Sequence, residues 1–191
     1  MRLIVGLGNP GKGYATTRHN LGFRVCEQVC ERLSASWSGE KFSSRVAEVR
    51  GPQGRVLLLE PQTFMNLSGQ AVSTAVGFYR LDLVEMLVIC DDFNLPLGQL
   101  RLRTGGSHGG HNGLRSVIEH LGTEEFPRMR LGVGPVAGKD TVDFCLAKFR
   151  PGEEAAVAEM VARAADAAQV WLESGIEEAM NRFNSKATPE S

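Results

Sequence analysis

Five short stretches gather the residues that can do chemistry: GLGNPG (6–11), TRHN (17–20), QTFMN (62–66), DDFNLP (91–96) and GGSHGGHNG (105–113). Three kinds of chemistry suit such residues. In GLGNPG, Gly6, Gly8 and Gly11 match G-x-G-x-x-G after an apolar run, the layout of a dinucleotide cradle. That cradle needs a helix starting inside the turn, and Pro10, Gly11 and Gly13 would break one. The acidic residue expected about 20 positions on should end a second strand, whereas Glu27 and Glu31 fall in a helical pattern. In the last stretch, Gly105, Ser107 and Gly109 match G-x-S-x-G, the elbow of a serine hydrolase. That architecture needs the histidine last in the chain, and no histidine follows His120, which sits within a helical pattern.

Water activation is the third kind. A histidine near neutrality can take a proton from water. A neighbouring aspartate fixes its tautomer, and asparagine amides can donate to a developing oxyanion. His108 and His111 are three apart with nothing obvious to complete a metal site, so no metal is expected.

These stretches need elements to position them. RLIVGL (2–7) and EMLVICD (85–91) read as buried strands, and SSRVAEV (43–49) with RVLLLE (55–60) as a hairpin across GPQG. QLRLR (99–103) alternates like a half-exposed strand, and MRLGVG (129–134) is a further strand. Leu21, Val25, Val29 and Leu33 recur at helical spacing. A helix capped by Asn66 or Ser68 runs to about Tyr79, another runs from His111 to Leu121, and a long amphipathic one carries Val157, Met160, Val161, Ala164, Ala168 and Trp171. Strands alternating with helices predict an α/β fold. We expect a single-domain three-layer sandwich over 1–191, with a mixed central sheet, helices on both faces and a polar tail at 185–191. Each chemical stretch would then lie where a strand ends, which is where open α/β sheets bind ligands.

Composition narrows the partners. No apolar run reaches the roughly 20 residues of a membrane span, and the N-terminus lacks a signal-peptide layout, so a cytoplasmic protein with no membrane partner is expected. The four cysteines have no C-x-x-C spacing and read as reduced core residues. Residues 1–152 hold 18 Lys and Arg against 14 Asp and Glu, and residues 153–191 hold 3 against 8. A mildly basic body permits a polyanionic partner without requiring one.

The ordered motifs GLGNPG…Y…TRHN, QTFMNLSG, DDFNLPLG, GGHNGL and RLGVG, from Leu3 to about Phe183, resemble the bacterial peptidyl-tRNA hydrolase family. The resemblance implies hydrolysis of the ester joining a peptide to the 3′ ribose of tRNA, with no metal or cofactor. It also implies His19 as general base, Asp91 as the acid that keeps it ready, and Asn9 as the reader of a blocked amino group. Asn66 and Asn112 would position water and the ester. Tyr14 and Phe64 would line the place of the tRNA end, with Met65 beneath the channel and His111 auxiliary. Arg101 and Arg103 would hold acceptor-stem phosphate, with Arg130, Lys139 and Lys148 as further candidates. The resemblance implies a tRNA carrying a peptide as the partner, and a small enzyme that must admit a whole tRNA is expected to be a monomer.

The sequence departs from the family pattern at Asn94, where an aspartate is usual, at Ser107, where glycine is common, and at Lys12-Gly13. Plant-organelle relatives that act in RNA splicing supply an alternative, a non-catalytic RNA-binding factor. A serine esterase using Ser107 is a third reading. Segment 135–150 is a candidate lid over the site.

Overall fold

A computed structural model describes residues 1–51, 54–135 and 141–184. The expected polar tail, Lys139 and most of the link 135–140 of the candidate lid lie outside the described residues. Strands β1 (Arg2–Gly6), β2 (Trp37–Lys41), β3 (Ser44–Gly51), β4 (Gly54–Pro61), β5 (Met86–Pro96), β6 (Leu100–Arg103) and β7 (Arg128–Gly134) form one sheet in the order β2-β3-β4-β1-β5-β7-β6. The central strands β4, β1, β5 and β7 run parallel, and β2, β3 and β6 join at the edges through antiparallel pairings.

Side-chain alternation along the central strands builds two cores. Ile4, Leu58, Leu87, Ile89 and Met129 face helices α1 (Leu21–Arg32), α5 (Glu154–Ser174) and α6 (Ile176–Phe183). Leu3, Val5, Leu57, Leu59, Val88 and Cys90 face α2 (Ser68–Tyr79) and α3 (Asn112–Leu121). The result is the expected mixed sheet between two helical layers.

Four local features differ from the sequence reading. The edge strand β2 escapes it, because four of its five residues, WSGEK, are exposed and carry no alternation. Short helices α4 (Thr141–Leu146) and α6 are likewise invisible in the apolar pattern. Neither Asn66 nor Ser68 caps α2. The helix is entered through a 3-10 turn, Met65–Leu67, and the Ser68 hydroxyl donates to the Met65 carbonyl at 2.8 Å. Finally, β6 is antiparallel to β7, with Arg103 opposite Arg128. The glycine-rich stretch therefore leaves β6 at the amino end of β7 and must return along the sheet to deliver His111 at its carboxyl end.

Candidate active site

The site begins with two glycines. A methyl group at Gly6 would overlap the Gly22 carbonyl, and one at Gly22 would overlap the backbone of Leu7 and Ile89. Only bare backbone lets α1 lie this close to the end of β1. Gly6 of GLGNPG therefore serves helix-to-strand packing rather than a nucleotide. The same approach carries the 3-10 turn Arg18–Asn20, just ahead of α1, over Asp91 midway along β5.

There His19 Nδ1 meets Asp91 Oδ1 at 2.8 Å and Oδ2 at 3.0 Å. Asp91 is completely buried in β5, and its Oδ1 is also 3.0 Å from His111 Nε2. His111 caps α3, its Nδ1 accepting the Leu114 N–H at 3.1 Å. That bond makes Nδ1 an acceptor, so Nε2 carries the proton and donates to Asp91. His19 likewise donates through Nδ1, which leaves its Nε2 lone pair for the cavity that the ring lines.

One carboxylate thus holds two histidines with opposite tendencies. Burial works against protonation of His19, but the charge of Asp91 and the hydrogen bond to it prevail and raise its pKa. For His111 burial wins, aided by the nearby His19 and Arg130, and its pKa falls. Burial opposes ionisation of Asp91 too, yet the two histidines hold its carboxyl well below the usual carboxylate range. His19 is thus the more readily protonated of the two histidines and His111 the less.

A cavity of about 370 Å³ opens beside His19. Of the residues singled out in the sequence, it gathers Asn9, Tyr14, His19, Phe64, Met65, Asn66, His111 and Asn112, with Asp91 directly behind the histidines. Asn9 is fixed from three sides. The Asn20 carboxamide accepts its N–H and donates to its carbonyl, each at 2.9 Å, and its own Oδ1 accepts the Met65 N–H at 2.8 Å. The Asn9 side-chain NH2 is what remains to face the cavity. Val142, Cys145 and Leu146 of α4 form the opposite wall. That wall is anchored by Arg18, whose guanidinium donates to the Lys148 carbonyl at 2.6 Å and to Glu153 at 2.8 Å and lies over the Phe144 ring.

Arg101 and Arg103 are not in the cavity. Both are exposed on β6, two strands from β5, and neither forms an ion pair among the described residues. Lys148 is exposed as well. Arg130 differs, being buried and donating to Asp92 at 3.2 Å and to the Ser107 carbonyl at 2.6 Å. Arg128, buried beside it, donates to the carbonyls of Gly106 and Glu124. These two arginines tie the returning glycine loop to β7. Ser107 thus contributes its backbone to the clamp, and its side chain does not line the cavity.

Sequence reasoning misses Arg18, Asn20, Asp92 and Arg128. TRHN and DDFNLP contain three of them, but nothing in a linear sequence separates a buried arginine from a solvated one. Asn94, the departure from the family pattern, donates from its carboxamide to the Gly109 carbonyl at 3.3 Å, a bond an aspartate could not make. The fold also brings ligand atoms of His19, Asp91 and His111 within 4.8 Å of one another, closer than the linear spacing suggested. Bonds among the three residues, with the Leu114 N–H donating to His111 Nδ1, engage every ring nitrogen and both carboxylate oxygens except His19 Nε2.

Fold and site together define an α/β protein in which a carboxylate-held histidine faces a cluster of carboxamides across an open pocket, an arrangement fit to activate water. A family profile for peptidyl-tRNA hydrolase matches residues 3–191. The chain is 50% identical over 188 residues to the peptidyl-tRNA hydrolase of Chloroflexus aggregans, covering 96% of this chain and 99% of that one. It is 46% identical to the peptidyl-tRNA hydrolase of Deinococcus deserti, covering 97% of this chain and 86% of that one. The crystal structure of peptidyl-tRNA hydrolase from Acinetobacter baumannii superposes with a TM-score of 0.90 at 35% identity, over 97% of this chain and 95% of that one. The chain belongs to the peptidyl-tRNA hydrolase family. Among the described residues, no helix is long and apolar enough to cross a membrane.

Proposed function

We propose that the chain hydrolyses peptidyl-tRNA, as a carboxylic-ester hydrolase acting between the peptide and the 3′ ribose. The observation that carries this reading is His19, held by Asp91 with Nε2 turned to a cavity that Asn9, Asn66 and Asn112 also line. His19 Nε2 takes a proton from a water molecule, and the hydroxide adds to the ester carbonyl. The negative charge passes to the carbonyl oxygen, where carboxamide N–H groups receive it, each worth roughly 10² to 10³ in rate. Collapse breaks the bond to the ribose oxygen, which takes the proton back from the imidazolium. Free tRNA and a peptide acid leave, and His19 is neutral again.

Asn9 reads the blocked amino group through its free NH2. Tyr14 and Phe64 offer ring faces to the tRNA end, and Met65 forms the floor. Arg101 and Arg103 hold acceptor-stem phosphate, a task suited to forked donors. The protein works in the cytoplasm as a monomer that needs no metal, one copy holding the whole centre.

The test is release of tRNA from N-acetyl-aminoacyl-tRNA and from unblocked aminoacyl-tRNA, with EDTA present, by wild type and Ser107→Ala. Cleavage of the blocked substrate alone, undiminished in Ser107→Ala, is the expected result. Loss in Ser107→Ala would make the serine a nucleophile, and loss in EDTA would turn the His19–Asp91–His111 group into a metal site. Binding of tRNA without cleavage would make the chain an RNA-binding factor.

A further inference from the structure

Helix α2 begins without a cap of its own. Leu67, at the cap position, offers no side-chain acceptor, and the Ser68 N–H is taken by the Met65 carbonyl of the preceding 3-10 turn. The next donor, the Gly69 N–H, is one of those that a helix leaves unmet at its beginning. It donates to Ser116 Oγ of α3 at 3.0 Å, a buried bond between residues 47 positions apart. One helix thus caps another from outside.

Bare backbone makes that contact possible. A methyl group at Gly69 would overlap the Ser116 carbonyl and crowd the His120 ring. His120 lies there because its Nδ1 meets the same carbonyl at 2.8 Å. A carbonyl only accepts, so Nδ1 carries the proton and donates. The hydroxyl and the carbonyl of buried Ser116 are thus both engaged, one with α2 and one with His120. Nearer the cavity, a methyl at Gly113 of α3 would crowd Met65 Sδ, so the two segments are close there as well.

The bond stands one turn behind the cavity. Asn112 lies four residues before Ser116 on α3, about 6 Å of helix rise, and Asn66 lies three residues before Gly69. Helix α3 is itself fixed to the reaction centre, because His111 both caps it and donates to Asp91. A continuous chain of contacts therefore runs from Asp91 through His111 and α3 to Ser116, and from Ser116 to the start of α2. Asn66 hangs from the end of that chain.

We propose that Ser116 is a positioning residue for the reaction: by capping α2 from α3, it sets where the Asn66 carboxamide stands relative to Asn112 and His19. This role rests on the hydrolase reading, in which Asn66 and Asn112 position water and ester. Ser116 touches no part of the cavity and acts only through the start of α2.

The test is a double-mutant cycle of Ser116→Ala with Asn66→Ala, read as kcat and KM for N-acetyl-aminoacyl-tRNA per folded molecule. Ser116→Ala is expected to lower kcat by roughly 10- to 100-fold, the scale of a misplacement of about 1 Å. KM stays within about twofold, since ground-state binding does not depend on the bond. The pH midpoint stays that of wild type, because the His19–Asp91 pair is untouched. In the Asn66→Ala background, adding Ser116→Ala lowers kcat by less than about threefold, because the carboxamide it positions is gone. Ser116→Cys keeps the bulk with a weaker acceptor and loses kcat to a smaller degree, which carries the test should Ser116→Ala unfold. Wild-type kcat in both Ser116 variants, a loss that appears in KM, a shifted pH midpoint, or a loss that multiplies in full with Asn66→Ala would overturn the positioning role alone. An Asn66→Ala enzyme as fast as wild type would remove the carboxamide role and this one with it. A wild type that cleaves no N-acetyl-aminoacyl-tRNA would overturn the hydrolase reading itself.

Discussion

The reaction centre and the β6 edge put their charge to use in opposite ways. At the centre, His19, Asp91 and His111 are buried and bonded to one another, and each ring nitrogen but one has an assigned partner. On β6, Arg101 and Arg103 stand in solvent and form no ion pair among the described residues. A preorganised buried group can stabilise a transition state without rearranging. An exposed arginine can meet phosphate over a range of positions and gains affinity by releasing counterions. On the proposed function, the chemical step belongs to the first region and tRNA affinity to the second.

The largest effect that would sharpen this division is His19→Ala. It removes the proton acceptor, and kcat should fall by about 10² to 10⁴ or more, while tRNA binding measured by filter retention stays near wild type. A comparable loss of binding would break the division. Gly22→Ala comes next, because it acts on the scaffold that carries His19. The added methyl meets backbone at Leu7, just past β1, and at Ile89 of β5, and overpacking of this kind costs about 1–3 kcal/mol. A clear fall in the thermal midpoint is expected, with activity per folded molecule also reduced.

Arg101→Gln with Arg103→Gln should raise KM and leave kcat nearly intact. The slope of log affinity against log salt should flatten by about 0.9 for each phosphate that is no longer neutralised. A fall in kcat instead would show that the edge shares in the chemistry. Smallest is Asn94→Asp, which exchanges one exposed hydrogen bond at 3.3 Å for a carboxylate facing the Gly109 carbonyl. Less than about threefold in kcat/KM is expected, since such bonds contribute roughly 0.5–1.5 kcal/mol at most. A large effect would tie the return of the glycine loop to that one carboxamide.

Much of the architecture is legible in the sequence because its causes are local. Apolar runs mark the buried strands, and four-residue spacing marks α1 and α5. The carboxamides and histidines of the cavity stand in short motifs between strands and helices. What cannot be read depends on contacts distant in sequence. β2 shows no alternation because most of it faces solvent, and Ser68 is diverted from capping by a 3-10 turn. Arg128 and Arg18 look like surface arginines until the fold buries them against carbonyls from other segments. Asp91 is legible as a partner for His19 only through the family resemblance. Its sharing with His111 is not, because that depends on a loop that leaves β6 at one end of the sheet and returns to the other.

The division of roles rests on His19 acting as the base under the control of Asp91. The most direct measurement is the single-turnover cleavage rate of N-acetyl-aminoacyl-tRNA against pH, for wild type and Asp91→Asn. In wild type the rate should rise with pH along a limb whose midpoint lies above 6.5, because neutral His19 is the active form and Asp91 raises its pKa. In Asp91→Asn the raising charge is gone and burial remains, so the midpoint should move below 6.5 while the plateau drops. A limb that keeps its midpoint in Asp91→Asn would contradict His19 as the group that titrates.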